Sequence, residues 1–228
     1  MPTFDIIREI KPVESFRVIS VRGQFDLKND MIRERFQGNI DIDNRSWSIG
    51  IIYGRSGTGK STIAKQIFPQ AYTQKFPYHS HSILDDFPRD NSTSDIIKML
   101  NSVGFSSVPS WLKPYNVLST GERMRVDIAR AILSKKVLIV FDEFTSTINR
   151  EVAKIGSYAV SKTVRRMKKQ FIAVTCHEDI IEWLEPDWTF CTNNFSFFLA
   201  ENTKGPRLRS TSMKQIGAHG KCFASIII

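Results

Sequence analysis

The sequence lacks the features that mark several protein classes. Its three cysteines, Cys176, Cys191 and Cys222, form no CxxC pair, so a disulfide framework is not expected. No apolar run approaches the roughly 20 residues of a membrane helix, which argues against membrane insertion. The N-terminal residues, MPTFDIIREIKP, carry acids among apolar side chains and lack a signal-peptide layout. These absences predict a cytoplasmic protein.

The composition is that of an ordinary folded chain with an excess of positive charge. Of 228 residues, 41% are hydrophobic and 24% are charged, and the net charge is +9. A basic chain suggests a nucleic-acid partner. However, one basic cluster closes a predicted helix at 162–169, where cations suit the helix dipole, and another lies beyond residue 200. A solvated helix end is the simpler interpretation, and a nucleic-acid partner stays an open alternative.

Short apolar runs alternate with helical patterns along the chain. Buried strands are predicted at 47–53, 137–141 and 171–175, with one or two more at 189–200. Helices are predicted at 60–68, about 95–103, from 119 onward, about 150–169 and 178–184. This alternation is typical of an α/β fold with a mainly parallel sheet flanked by helices.

The stretch GRSGTGKS, residues 54–61, fits the pattern G-x-x-x-x-G-K-[ST]. It follows a predicted buried strand and opens a predicted helix, as a loop that wraps phosphates with backbone N–H groups must. Lys60 would reach the β- and γ-phosphates, and Ser61 would offer its hydroxyl to Mg²⁺. The predicted fold is therefore a P-loop NTPase that binds a nucleotide together with Mg²⁺. The predicted nucleotide-binding residues are Gly54, Arg55, Ser56, Gly57, Thr58, Gly59, Lys60, Ser61 and Thr62.

Polar side chains follow two of the other predicted strands. Asp142 directly after VLIVF is a candidate Mg²⁺ ligand, and Glu143 is a candidate base for an attacking water, although such acids could instead cap the next helix. His177 follows FIAVT and could reach the γ-phosphate, or be a structural histidine. The predicted catalytic residues are Lys60, Glu143 and His177. Cys176 is predicted to be a small buried side chain rather than a nucleophile.

A third motif, LSTGE, opens the helix that starts near residue 119. Ser119 and Glu122 have the spacing of a capping box, in which each side chain satisfies a backbone N–H of the other residue. Gly121 lies within the first turn, where it costs about 1 kcal/mol relative to alanine. A glycine at that position calls for a reason outside helix propensity.

In this order, GRSGTGKS, LSTGE, VLIVFDE and a later strand-end histidine resemble the nucleotide-binding domain of the ABC ATPase superfamily. The resemblance implies an ABC-type fold with a small helical subdomain, reduced here to about 82–120, within an ATPase domain spanning 1–203. It also implies an ATP-dependent homodimer that holds ATP between two chains. Ser119, Gly121 and Glu122 of one chain would then face the γ-phosphate held by the other.

Several positions depart from the pattern of this superfamily. Asn149 stands where an acidic residue is usual. No glutamine occupies the γ-phosphate-sensing loop, where Ser82 aligns with the missing residue and Asp85 and Asp86 are candidate substitutes. Phe25 is predicted to be the aromatic residue that stacks on adenine.

The length of one segment and three short phrases indicate which kind of ABC-type ATPase the chain resembles. The segment 61–118 is shorter than in most transporter domains and cannot contain a long coiled-coil arm. The phrases FRVISVRGQFDLKNDMIRERFQGNI, SILDDFP and DEFTS resemble soluble ABC-type ATPases fused to a GNAT-like acetyltransferase half. That resemblance implies an acetyltransferase partner missing from this chain.

The predicted function is ATP hydrolysis that drives a conformational cycle, and the sequence does not indicate what the cycle acts upon. One alternative is the ATP-binding subunit of a membrane transporter. Another is a nucleotide-gated binding module with little turnover, linked to nucleic acid. The basic tail, 204–228, fits neither and is expected to be disordered or read out of frame.

Overall fold

The computed structural model describes residues 3–10, 14–26, 32–43, 45–73, 76–200 and 213–215. The strands are β1 (Thr3–Ile10), β2 (Ile32–Asn39), β3 (Ile49–Tyr53), β4 (Leu138–Phe141), β5 (Gln170–Thr175), β6 (Trp188–Cys191), β7 (Ser196–Ala200) and β8 (Met213–Gln215). The helices are α1 (Phe16–Phe25), α2 (Lys60–Ile67), α3 (Thr93–Ser102), α4 (Val108–Trp111), α5 (Thr120–Leu133), α6 (Arg150–Arg166) and α7 (Ile180–Leu184). Short 3₁₀ turns cover Ile83–Asp86 and Tyr115–Val117.

The main sheet has the strand order β4-β5-β3-β6-β7-β8. The strands β4, β5, β3 and β6 are parallel to one another, whereas β7 and β8 are paired antiparallel at one edge. The predicted α/β fold with a mainly parallel sheet is confirmed. Because β4, β5 and β3 are adjacent and parallel, the segments that follow them meet at one edge of the sheet.

Each face of the sheet carries its own hydrophobic core. Alternate residues of a strand point to opposite faces, so Ile51 joins one core and Ile52 the other. The first core packs the sheet against α3, α5, α6 and α7. The second packs it against α2 and the ribbon of β1 and β2. The phosphate loop therefore opens a helix on one face, while the LSTGE motif opens a helix on the other.

The amino-terminal residues form an antiparallel ribbon of β1 and β2, joined through α1. Phe4 and Phe36 reach from this ribbon into the second core, where both pack around Phe195. In contrast, α1 buries none of its residues, and Phe16 and Phe25 are largely exposed.

Of the predicted tail 204–228, the described part is Met213–Gln215, which pairs with β7. The other tail residues, including Cys222, lie outside the described residues. No helix in the part of the chain that the structure describes is both long and apolar enough to cross a membrane.

Gly50 marks the tightest packing in the sheet. A Cβ atom at this position would lie 2.1 Å from the Trp188 ring, which is fully buried and packs edge-on against Trp47. The ring has no room to move, so Gly50→Ala is expected to lower the free energy of unfolding by about 2 kcal/mol. Chemical denaturation measures the loss. Gly23→Ala on α1 is the control, since its Cβ would meet nothing within 4 Å. Equal stability of Gly50→Ala and the native chain would contradict this packing argument.

Candidate nucleotide-binding site

The phosphate loop connects β3 to α2 through glycines with positive φ. Gly57 and Gly59 have φ values of 83° and 81°, a region that side chains disfavour. A Cβ on Gly59 would also lie 2.7 Å from the Phe36 ring. Lys60 is only 9% exposed, and its ammonium donates a hydrogen bond to the Arg55 carbonyl at 2.7 Å. The predicted phosphate cation is thus held within the loop that it would serve.

The turn between β6 and β7 supports the outer side of this loop, which the sequence analysis did not anticipate. The Arg55 N–H donates to Asn193 Oδ1 at 2.9 Å, and the hydroxyls of Thr58 and Thr192 are hydrogen-bonded at 2.6 Å. Arg55, Thr58 and Asn193 line an open cavity of about 400 Å³. A cavity of about 490 Å³ lies away from the loop, between the end of α2 and the start of β4.

Ser61 and Asp142, the predicted Mg²⁺ ligands, lie on either side of the Tyr72 hydroxyl. The phenol donates a hydrogen bond to Asp142 Oδ2, and the Ser61 side chain lies close enough to influence the same hydroxyl. Burial, reinforced by Asp142, raises the pKa of Tyr72, so the phenol keeps its proton at neutral pH. Tyr72 was not among the predicted site residues, because it lies outside every predicted strand, helix and motif.

The donor set fits Mg²⁺ bound together with a nucleotide. A hydroxyl and a carboxylate are the oxygen ligands that Mg²⁺ prefers, with water and phosphate oxygens completing the shell. The described residues contain no group of three or more His, Cys, Asp or Glu able to hold a metal. Ser61 and Asp142 would supply two of the ligands, and nucleotide phosphates and water would supply the others.

The segment after β4 holds strained backbone beside Asp142. Glu143 is exposed with φ 54°, and its N–H donates to Asp142 Oδ1 at 3.0 Å. Thr145 is buried with φ 62°, which is unfavourable for a β-branched residue. Phe144 anchors the turn between them, since its ring is fully buried and its N–H donates to the Val174 carbonyl at 2.9 Å. Glu143 is thus held outward at the sheet edge.

His177 follows β5 at the same edge. The register pairs Tyr53 with Thr175 and Phe141 with Ala173, so the phosphate loop, Asp142 and His177 all follow neighbouring strand ends. His177 is half-buried, and its N–H donates to Thr175 Oγ1 at 3.2 Å. The prediction of a buried Cys176 is wrong: its side chain is exposed, because it is the first residue beyond the buried strand.

The LSTGE motif forms the capping box expected at the start of α5. The Ser119 N–H donates to Glu122 Oε2 at 2.8 Å, and the Glu122 N–H donates to Ser119 Oγ at 3.4 Å. Burial opposes ionisation of Glu122, but the hydrogen bonds from Ser119 keep the pKa of its carboxyl below the usual value. A Cβ at Gly121 would meet only ordinary contacts, the nearest being Val152 at 3.5 Å. The packing within this chain therefore does not require glycine there.

The residues proposed for the sensing loop are engaged in local structure. Ser82 Oγ donates to the Trp111 carbonyl at 3.0 Å and accepts from the Leu84 N–H at 3.2 Å. Asp86 Oδ1 accepts backbone hydrogen bonds from residues 79 and 80, while Asp85 is exposed. Asn149, which replaces the usual acid, caps α6 by accepting from the Glu151 N–H at 2.8 Å.

Phe25, predicted to stack on adenine, is the last residue of α1 and is 65% exposed. The aromatic ring in contact with the phosphate loop is Phe36, one strand further along the chain, at Gly59. The adenine contact of Phe25 stays a prediction.

A polar cluster, which we call the tyrosine clamp, joins α5 to two segments that precede it in the chain. It consists of Tyr78, Tyr115 and Asp127. The two phenols donate to opposite oxygens of Asp127 at 2.6 and 2.7 Å, and their rings stack with centroids 3.7 Å apart. Arg130 covers the Tyr78 ring at 4.5 Å. Burial raises the pKa of Asp127 despite these hydrogen bonds.

The chain is similar to known P-loop and ATP-binding proteins. The NB-ARC domain model matches residues 29–184, more than half of the chain. The lipoprotein-releasing system ATP-binding protein LolD of Rickettsia felis is 27% identical over 169 residues, covering 57% of this chain and 74% of LolD. The alpha-hemolysin translocation ATP-binding protein HlyB of Escherichia coli O157:H7 is 24% identical over 204 residues, covering 69% of this chain but only 28% of HlyB.

Solved structures share the fold. The dimeric structure of MJ0796, a bacterial ABC transporter cassette, has a TM-score of 0.54 at 15% identity, covering 82% of this chain and 94% of that one. The structure of cbiO1 from Clostridium perfringens has a TM-score of 0.53 at 19% identity, covering 68% and 76%. By its matched region the chain belongs to the NB-ARC family of P-loop domains, and its phosphate loop, fold and relatives indicate an ATP hydrolase with the fold of an ABC cassette.

Proposed function

We propose that this chain binds Mg·ATP, forms a homodimer around two nucleotides and uses hydrolysis to open that dimer, as a cytoplasmic ATPase without membrane subunits. The observation that carries the dimer is the start of α5. Its capping box is formed, yet Gly121 has no packing reason within the chain. A second chain that brings phosphate close to the helix N-terminus supplies the reason.

The chemistry follows from the residues at the sheet edge. Lys60 and the loop N–H groups bind the β- and γ-phosphates, while Ser61 and Asp142 hold Mg²⁺. When bound, Mg²⁺ neutralises charge on the phosphate oxygens. Glu143 takes a proton from a water molecule while the oxygen of that water bonds to the γ-phosphorus. The bond between the γ-phosphorus and the oxygen that bridges to the β-phosphate breaks, which releases ADP and phosphate. His177 stabilises the charge on the γ-phosphate oxygens.

The two alternatives fit the chain less well. A binding module without turnover needs no base, yet Glu143 and His177 follow neighbouring strands beside the loop. The names of HlyB and LolD refer to translocation and release systems, but the short segment 61–118 favours an ATPase that works without them. The fused acetyltransferase half and a nucleic-acid partner rest on the sequence alone and stay predictions.

Mixing two inactive variants tests the shared site. Lys60→Ala disables the phosphate loop of one chain, and Gly121→Asp disables the LSTGE motif of the other. A mixed dimer therefore keeps one intact site, formed by the native phosphate loop of one chain and the native LSTGE motif of the other. If subunits exchange freely and sites act independently, turnover should recover to about a quarter of the native value. Gly23→Asp on α1 is the matched control and should stay active alone. No recovery in a mixture shown to exchange subunits would contradict the shared site.

A further inference from the structure

Tyr72 is fixed by backbone contacts on both sides. Its N–H donates to the Phe68 carbonyl at 2.9 Å, just beyond the end of α2. The residues that flank it bond to one residue of β4: the Val140 N–H donates to the Ala71 carbonyl at 3.0 Å, and the Thr73 N–H donates to the Val140 carbonyl at 2.8 Å. Tyr72 therefore forms a short parallel bridge with Val140 of β4, and Val140 lies two residues before Asp142.

The Tyr72 side chain extends from this bridge into the predicted metal shell. A phenol has one proton to donate, and here Asp142 Oδ2 accepts it. The oxygen of the same phenol lies near Ser61 and is left able to accept a hydrogen bond from its hydroxyl. In that arrangement Ser61 keeps its lone pairs free for a cation. The Lys65 ammonium lies 5.0 Å from the ring centroid and covers its face.

One hydroxyl therefore holds the Asp142 carboxylate and lies beside Ser61, the other predicted metal ligand. The second carboxylate oxygen, Asp142 Oδ1, already accepts the Glu143 N–H, so the carboxylate is held at both ends. Groups that orient metal ligands in this way affect metal affinity about 10- to 100-fold when they are removed.

We propose that Tyr72 is a positioning residue for Mg²⁺, which aligns Ser61 and Asp142 so that the metal binds them together with the nucleotide. This inference rests on the proposed function, because it assigns a role within the same site. It predicts that the hydroxyl matters to the Mg²⁺-dependent part of nucleotide binding and not to the part that the loop supplies alone.

Calorimetric titration with the non-hydrolysable analogue AMP-PNP tests the role without turnover. For Tyr72→Phe, which keeps the ring, the affinity in EDTA should equal that of the native chain. The Mg²⁺ concentration that gives the half-maximal gain in affinity should rise about 10-fold. Tyr158→Phe on α6 is the matched control and should behave like the native chain.

Three results would overturn the inference. An unchanged or lower Mg²⁺ midpoint in Tyr72→Phe would show that the phenol does not assist the metal. An equal loss of affinity in EDTA, accompanied by a lower melting temperature, would show a purely structural role. In both cases a Mg²⁺ response of the native chain leaves the proposed function standing. A native chain whose AMP-PNP affinity ignores Mg²⁺ would overturn the inference and the proposed function together.

Discussion

Lys60→Ala is expected to weaken ATP binding by about 10- to 100-fold, because a charge-assisted hydrogen bond to phosphate is lost from a buried position. The ammonium is nearly enclosed by its own loop, so no solvent cation can replace it at the same geometry. Equilibrium binding of ATP measures the loss. Lys98→Ala, at an exposed position of α3, is the control and should bind normally.

The counterpart is Glu143→Gln, which should bind ATP as tightly as the native chain. Glu143 is exposed at the sheet edge, and its N–H donates a hydrogen bond to Asp142 rather than to the phosphate loop. Turnover should nevertheless fall about 100- to 10,000-fold, the usual contribution of a general base. The ATP-bound dimer should accumulate and be visible by size-exclusion chromatography. Hydrolysis at the native rate in Glu143→Gln would remove this residue from its proposed role.

Asp127→Ala is expected to cost about 3 kcal/mol of the free energy of unfolding, since two phenols lose a charged acceptor at once. The stacked rings keep Tyr78 and Tyr115 close together, so neither hydroxyl can turn far toward water. Asp127→Asn keeps one acceptor oxygen and should lose less. Urea denaturation orders the three proteins, and a native-like Asp127→Ala would show that the tyrosine clamp adds little to stability.

The same variant has a pH signature. Burial and the adjoining carboxylate raise the pKa of Tyr78, and those causes act likewise on Tyr115. Unfolded tyrosine ionises at about pH 10, so the stabilisation from the raised pKa values is complete below that pH and is lost as the pH rises further. The native chain should therefore lose stability above pH 10 more steeply than Asp127→Ala does.

Local motifs made the strand ends of the candidate site predictable. The glycines of the phosphate loop, the capping box of α5 and the apolar runs of β3, β4 and β5 each depend on neighbouring residues, so the pattern in the sequence carries them. The parallel order then followed from the alternation of strands and helices. Placing Asp142 and His177 at one edge needed no contact information beyond this order.

Contacts between distant segments were not predictable in this way. Tyr72 and Asp142 are 70 residues apart, and Arg55 and Asn193 are 138 apart. Each partner is an ordinary polar residue in its own surroundings, and only the folded sheet brings them together. The ribbon of β1 and β2 was not predicted for a related reason: its inward residues, such as Phe36, pack against Phe195 and Gly59, which lie later in the chain.

Because α1 is exposed, it is expected to unfold locally while the rest of the domain stays folded. A ten-residue helix is marginal in water by itself, and this one buries no side chain that would add tertiary stability. Its backbone amides are therefore expected to exchange with solvent through local unfolding, at a free energy well below that of the whole domain. The phosphate loop follows β3 and His177 follows β5. Both strands are buried, so they are not expected to unfold together with α1. Helix α1 can thus unfold and refold while the sheet edge that carries the phosphate loop stays folded.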